Sequence, residues 1–104
     1  MKRLRDIIGM AALAAILSAG TVYAVRGTAE QGEKLFNDPT LGGSTNETSC
    51  ASCHPGGKGL EQAGSRTNLA HMINVCIQRP LKGEPLEEDS VEMDSLERYI
   101  RSIR

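Results

Sequence analysis

Two cysteines and a histidine in one short segment constrain this chain more than any other feature. Cys50 and Cys53 stand three positions apart, and His54 follows directly. Two thiols at this spacing can form thioether bonds to the two vinyl groups of one haem, and the next histidine then lies beneath the iron. The pattern therefore predicts one covalently attached haem c, with Cys50 and Cys53 as its anchors and His54 as the proximal iron ligand.

Three other kinds of site could use the same residues. A disulfide between Cys50 and Cys53 would close a very short loop and contribute little stability. A thioredoxin-type redox pair requires a βαβ context, and no strand pattern is present in the sequence. A zinc site that includes Cys76 would need the adjacent residues Cys53 and His54 as ligands, whereas zinc ligands are usually spaced by at least two residues. The haem interpretation is favoured over these three.

The first 24 residues have the composition of an export signal. A basic start at residues 2–5 precedes an apolar run at residues 7–17, and small residues lead to Ala24. This order is typical of a secretory signal peptide. We therefore predict a signal peptide at residues 1–24, a single haem domain at residues 25–104, and a periplasmic location. The alternative is an uncleaved anchor in the inner membrane, since a span needs roughly 20 residues; contact with a membrane is expected only in that case.

A haem would also fill a core that the chain can barely build from its own side chains. The 104 residues include eleven glycines but only two tyrosines and one phenylalanine. A domain of this size buries only about 60% of its unfolded surface and often needs additional stabilisation. The formal net charge is −1, and no basic patch remains beyond the N-terminal start, so nucleic acid is not an expected partner.

Helical periodicity predicts three main helices around the haem motif. The first begins at a capping box formed by Thr28 and Gln31, and the last begins at Ser90. The apolar stripe of the middle helix is Leu69, Met72, Ile73 and Cys76, and that of the last is Met93, Leu96, Ile100 and Ile103. The expected fold class is all-α, with three main helices and a short haem-motif helix wrapped around one haem.

This order of helices and haem motif resembles the class I cytochrome c family over the whole predicted domain. The resemblance implies that the first and last helices cross next to the haem. Gly32 and Phe36 match the contact positions of the first helix, and Leu96 and Tyr99 match those of the last.

One position departs from that family. Its members commonly carry a proline about a dozen residues after the haem histidine, and the backbone carbonyl of that proline accepts a hydrogen bond from the imidazole ring. Here the stretch is Gly64-Ser65-Arg66-Thr67, without a proline. Another backbone carbonyl is therefore expected to orient His54, since ligands of metal sites generally need such a partner.

Four residues are candidates for the second axial ligand: His71, Met72, Cys76 and Met93. Met93 fits the common His/Met pattern, which raises the reduction potential, but it shares a stripe with core residues. Met72 lies on the inner stripe of its helix, and His71 lies off it. The free thiol of Cys76 is unusual in an oxidising compartment.

A second resemblance concerns Cys76. The positions that carry it are Ile73-Asn74-Val75-Cys76-Ile77, Arg79, Lys82-Gly83, Pro85-Leu86, Asp89-Ser90, Glu92-Met93 and Tyr99-Ile100. They resemble a haem domain of the thiosulfate dehydrogenases, in which a cysteine at the matching place is an axial thiolate. This resemblance favours Cys76 as the distal ligand, with Met93 as the alternative.

The expected function is that of an exported electron carrier that shuttles single electrons between redox partner proteins, such as other cytochromes, reductases or oxidases. No substrate-binding residues are evident, so neither catalytic residues nor an enzymatic activity are expected. The alternatives are the haem subunit of a thiosulfate dehydrogenase-like, sulfur-compound-oxidising complex and a ligand-binding haem protein with an open sixth position. Acidic residues at 84–94 could steer a basic partner or simply face solvent.

Overall fold

Residues 26–104 are described in the computed structural model, and this part of the chain forms four α-helices and no β-strand. The helices are α1 (Ala29–Phe36), α2 (Cys50–Cys53), α3 (Leu69–Gln78) and α4 (Val91–Ser102). The predicted all-α fold, with three main helices and a short motif helix, is confirmed. The predicted signal peptide at residues 1–24 lies outside the described residues. No helix within residues 26–104 is both long enough and apolar enough to cross a membrane.

Helices α1 and α4 pack closely because a glycine lies where they cross. A Cβ atom added to Gly32 would lie 2.6 Å from the carbonyl carbon of Ser95 and 2.7 Å from the Cβ of Tyr99. One turn further along α1, the rings of Phe36 and Tyr99 pack with their centroids 5.1 Å apart and their planes tilted by 60°. The crossing of the first and last helices that the class I resemblance implied is therefore present. Leu96, which lies on α4 near Tyr99, is fully buried.

The start of α1 is fixed partly by its own cap and partly by α4. The Thr28 hydroxyl accepts a hydrogen bond from the Gln31 backbone N–H at 3.1 Å, as the capping box predicts. The backbone N–H of Thr28 donates to the Ser95 hydroxyl at 3.1 Å rather than to the Gln31 side chain. The Gly27 N–H likewise donates to the Asp94 carboxylate at 2.8 Å. A contact between distant parts of the chain thus replaces half of the predicted local cap.

The loop between α3 and α4 is held against the loop that follows α1. The Glu84 N–H donates to the Gly42 carbonyl at 2.8 Å. The Asn46 amide donates to the Pro80 carbonyl at 2.9 Å, and the Ser44 hydroxyl donates to Leu81. These contacts fix both loops without any regular secondary structure.

Asn74 fixes the same loop from the side of α3. Its side-chain amide donates to the Leu86 carbonyl at 2.9 Å, and its side-chain oxygen accepts from the Leu86 N–H at 2.8 Å. Asn74 is buried and Leu86 is half-buried, so both hydrogen bonds are partly shielded from water.

The apolar core is small and is formed mainly by α1, α3 and α4. Its buried members are Phe36, Leu41, Leu69, Ile73, Ile77, Leu81, Met93, Leu96 and Ile100. Several of them face a cavity next to α2, so the core and the candidate site share a wall.

Candidate haem site

Helix α2 presents the two motif cysteines on one turn. The helix begins after Ser49, whose backbone N–H donates to the Ser52 hydroxyl at 3.0 Å. Residues three apart on a helix project from the same face, and both Cys50 and Cys53 line the cavity. His54 then leaves the helix, with its own N–H still donating to the Cys50 carbonyl at 3.0 Å. The motif therefore places two sulfur atoms and an imidazole on the wall of one cavity.

The imidazole of His54 is oriented by a backbone carbonyl. Its Nδ1 atom lies 3.0 Å from the carbonyl oxygen of Lys58. Because a carbonyl oxygen can only accept, Nδ1 donates the hydrogen bond, and Nε2 keeps its lone pair free for a metal ion. Lys58 thus supplies the carbonyl that the missing family proline would have supplied.

A glycine allows the backbone turn that accompanies this hydrogen bond. Gly59 has a φ of +92°, and a Cβ atom there would lie 3.4 Å from the His54 Nδ1 atom. A left-handed backbone of this kind favours glycine because other residues are strained in it. The short, glycine-rich return of the chain after His54 therefore brings the Lys58 carbonyl to the imidazole ring.

The cavity beside α2 has a volume of about 390 Å³, within the range of about 300 to 1,000 Å³ that ligand sites occupy. Its apolar lining consists of Phe36, Leu60, Ala63, Leu69, Met72, Ile73, Pro80, Leu81, Leu96 and Ile100. A haem requires covalent anchors, an axial nitrogen and a dry, apolar enclosure. All three requirements meet in this cavity, so its residues fit haem c.

The four candidates for the second axial ligand are placed very differently. Cys76 and Met72 lie one turn apart on α3, and both line the cavity. Met93 is 0% exposed and packs in the core, away from the cavity wall. His71 is exposed and does not line the cavity.

The pKa values of two cysteine thiols on the cavity wall, Cys50 and Cys76, are raised. Burial, and after it the neighbouring Cys76 thiol, raises the pKa of the Cys50 thiol to about 11. Burial also raises the pKa of Cys76, with Cys53 as the second cause. Cys76 lines the cavity from α3, and Cys50 and Cys53 line the same cavity from α2.

The zinc alternative finds no support in this geometry. Within residues 26–104, no three side chains of His, Cys, Asp or Glu are close enough to hold one metal ion together. Cys50, Cys53, His54 and Cys76 line a cavity that is much wider than a zinc site, in which the ligands lie about 2.0–2.3 Å from the metal.

Three polar residues on the cavity wall were not identified from the sequence: Ser49, which caps α2, and the pair Gln62 and Arg66.

Gln62 and Arg66 lie close together in the chain. They flank the short turn Ala63–Ser65, in a stretch that has no helical or strand periodicity. The sequence offers only one indication that these two residues belong to the site: an amide and a cation stand four positions apart shortly after the haem motif.

The sequence of residues 26–96 matches the family described as di-haem cytochrome c peroxidase. The match covers more than half of the chain and includes α1, α2 and α3 completely. The chain belongs to the di-haem cytochrome c peroxidase family. No curated protein and no solved structure shows a significant match to the chain.

Membership of the di-haem cytochrome c peroxidase family confirms the coarser expectations. The family is one of c-type cytochromes, so binding of haem c by this chain is supported. The finer resemblances, to class I monohaem cytochromes and to thiosulfate dehydrogenases, have no counterpart in the matches. The family name refers to two haems, whereas this sequence contains one Cys-x-x-Cys-His motif, so the count of one haem stays a prediction.

The same family membership corrects the expectation that the chain is not an enzyme. Di-haem cytochrome c peroxidases are enzymes, so the family points to an enzymatic role. The expectation was wrong because it relied on the lack of evident substrate-binding residues. A cofactor brings its own reactive centre, so a haem enzyme needs few side chains that can be recognised as catalytic from sequence.

Proposed function

We propose that the chain is an exported haem c domain that passes single electrons in a peroxidase-type reaction and exchanges them with partner redox proteins. The observation that carries the proposal is the apolar cavity with Cys50, Cys53 and His54 on its wall. When bound, haem c supplies an iron that changes between the ferric and ferrous states by one electron. Family membership supports the peroxidase-type reaction, and the composition of residues 1–24 supports export.

In this proposal each part of the site has a defined task. Cys50 and Cys53 would hold one haem through thioether bonds, and His54 would supply a nitrogen ligand to its iron. The Lys58 carbonyl keeps the imidazole in one orientation and one tautomer, which also strengthens it as an electron donor to a metal. The apolar wall excludes water from the ring.

Cys76 is the proposed distal ligand. It lies on the cavity wall, whereas Met93 is fully buried elsewhere in the core. For Met93 to reach the cavity, α4 would have to rotate and lose its tight crossing with α1 at Gly32. A thiolate donates strongly to iron and would lower the reduction potential. Met72, one turn before Cys76 on the same wall, is the next candidate.

Covalent haem content tests the central part of the proposal. The full chain would be produced together with a c-type haem maturation system and analysed after denaturation by the pyridine haemochrome spectrum. We expect one haem per chain with a single, reversible one-electron transition, and no covalent haem in the double variant C50A/C53A. A wild-type chain that acquires no covalent haem would disprove the proposal.

The peroxidase part has its own test. Consumption of hydrogen peroxide is followed with a small-molecule one-electron donor in excess. We expect the haem-loaded chain to turn over peroxide faster than the C50A/C53A variant at equal protein concentration, although slowly, because the proposed Cys76 ligand would have to leave the iron before peroxide could bind. Equal rates would contradict the peroxidase-type role and leave the binding of haem intact.

The distal ligand is tested by absorption and paramagnetic resonance of the ferric protein. We expect a low-spin thiolate signal in the wild type that is lost in Cys76→Ala and retained in the matched control Met93→Leu. The weak far-red absorption band of methionine-ligated iron in the wild type would contradict the assignment of Cys76.

A further inference from the structure

One part of the cavity wall carries two polar side chains that find no partner among the described residues. Gln62 and Arg66 both line the cavity, and both are exposed at its rim. Among residues 26–104, neither side chain makes a hydrogen bond or an ion pair; only their backbone groups do, with Ser65 and Ala63. In contrast, Arg98 and Arg101 on α4 are each paired with a carboxylate.

Among residues 26–104, Arg66 is also the only lysine or arginine that lines the cavity. The remaining polar lining is Ser49, whose hydroxyl lies 3.3 Å from the Ser52 hydroxyl, and the haem-motif residues themselves. In the described part of the chain, the positive charge and the spare side-chain hydrogen-bond donors of this wall therefore lie in the short segment 62–66.

A haem has the complementary distribution of charge, since its ring is apolar and its two propionate carboxylates lie on one edge. A carboxylate that enters an apolar cavity needs a partner for its charge, and a guanidinium group matches a carboxylate with two parallel hydrogen bonds. A side-chain amide can donate a further hydrogen bond. Segment 62–66 is the part of the wall that offers both groups.

We infer that Arg66, assisted by Gln62, binds a haem propionate at the rim of the cavity. The inference rests on the proposed binding of haem c. It adds to that proposal which edge of the haem, the propionate edge, faces segment 62–66. Arg66 then acts as a positioning and tuning residue.

A positive charge at the propionate edge favours the ferrous state, because reduction adds one negative charge to the haem. Arg66 therefore raises the reduction potential. Its side chain is exposed, so solvent screens the interaction, and the expected effect is about two- to fivefold in the equilibrium constant for reduction.

The test compares Arg66→Gln with Arg79→Gln in the haem-loaded full chain. Each substitution replaces an exposed arginine and so removes one positive charge from the protein. Arg66 lines the cavity, whereas Arg79 does not. Potentiometric titration should show that R66Q lowers the equilibrium constant for reduction by about two- to fivefold, that R79Q changes it by less than half as much, and that Arg66→Lys recovers most of the loss.

A second readout reports on the carboxylate itself. In the redox-induced infrared difference spectrum, R66Q should shift the carboxylate bands of the propionates, whereas R79Q should leave them unchanged. Equal behaviour of R66Q and R79Q in either readout would overturn the inference, because the effect would then not depend on contact with a propionate. Haem content is measured first: a wild type without haem refutes the proposed function, whereas haem-loaded variants that behave alike refute only the role of Arg66.

Discussion

Gly32 lies directly against the backbone of Ser95 at the crossing of α1 and α4. A Cβ atom at position 32 would lie 2.6 Å from the Ser95 carbonyl carbon, a distance that Cβ atoms essentially never show. The two helices approach this closely only because the glycine has no side chain. The crossing supplies Phe36 and Leu96 to the wall of the cavity, so the candidate haem site depends on it.

Gly32→Ala should therefore destabilise the protein. In an exposed helix this substitution normally stabilises by up to about 1 kcal/mol, because alanine is the better helix former. Here we expect a loss of about 1–3 kcal/mol in the free energy of unfolding from overpacking at the crossing. Denaturant unfolding of the haem-loaded protein measures this change in the free energy of unfolding. The control is Glu33→Ala at the next, exposed position, for which we expect a change near zero. A stabilised G32A variant would show that the helices do not touch at this point.

Asn74→Ala should weaken the connection between α3 and the loop that follows it. The substitution leaves the N–H and carbonyl groups of Leu86 without their partners in a partly buried position. We expect a loss of about 2–3 kcal/mol in the free energy of unfolding, compared with a few tenths for exposed Gln78→Ala on the same helix. If both variants unfold at the same denaturant concentration, the two hydrogen bonds contribute nothing.

The helices and the motif could be predicted because their signals are local. The first helix has its cap at Thr28, and the last has the Ser90 hydroxyl accepting from the Met93 N–H at 3.2 Å. The stripe predicted for the middle helix, including Met72 and Cys76, faces the cavity as a group. Local capping and periodicity were enough for these elements.

The remaining features depend on residues far apart in the sequence. The Thr28 N–H binds Ser95, 67 positions away, so the second half of the capping box is not formed. The loop contacts of Ser44 with Leu81 and of Asn46 with Pro80 involve backbone carbonyls, and no residue type marks these in a sequence. The carbonyl that orients His54 belongs to Lys58, only four positions away, but it too is a backbone group that no residue type marks in a sequence.

Asp94 should give the protein a distinct loss of stability in acid. Its carboxylate accepts a hydrogen bond from the Gly27 N–H and pairs with Arg98 at 3.0 Å, and these contacts lower its pKa in the folded state. A lowered folded-state pKa means that the contribution is fully present above the unfolded value of about 4 and is lost as the pH falls through the folded value. Asp94→Asn should be less stable than the wild type at pH 7, and the difference should shrink towards pH 3.

Thermal unfolding from pH 7 to pH 3 measures this difference. The control is Asp89→Asn, since Asp89 is exposed and makes no side-chain hydrogen bond within residues 26–104. Its difference from the wild type should stay small at every pH. A pH-independent difference for D94N would mean that the contact with Gly27 does not require the charged carboxylate.

Gly59→Ala should raise the reduction potential of the haem-loaded protein. Gly59 has a φ of +92°, and alanine is strained there, so the Lys58–Gly59 peptide must move and the hydrogen bond from His54 Nδ1 to the Lys58 carbonyl must weaken. An imidazole without this partner is a poorer electron donor to iron, which disfavours the ferric state. We expect about 1 kcal/mol, or about a fivefold larger equilibrium constant for reduction, by potentiometric titration. Lys58→Ala keeps the carbonyl and should leave the potential unchanged; a shift in K58A as large as that in G59A would assign the effect to the Lys58 charge instead.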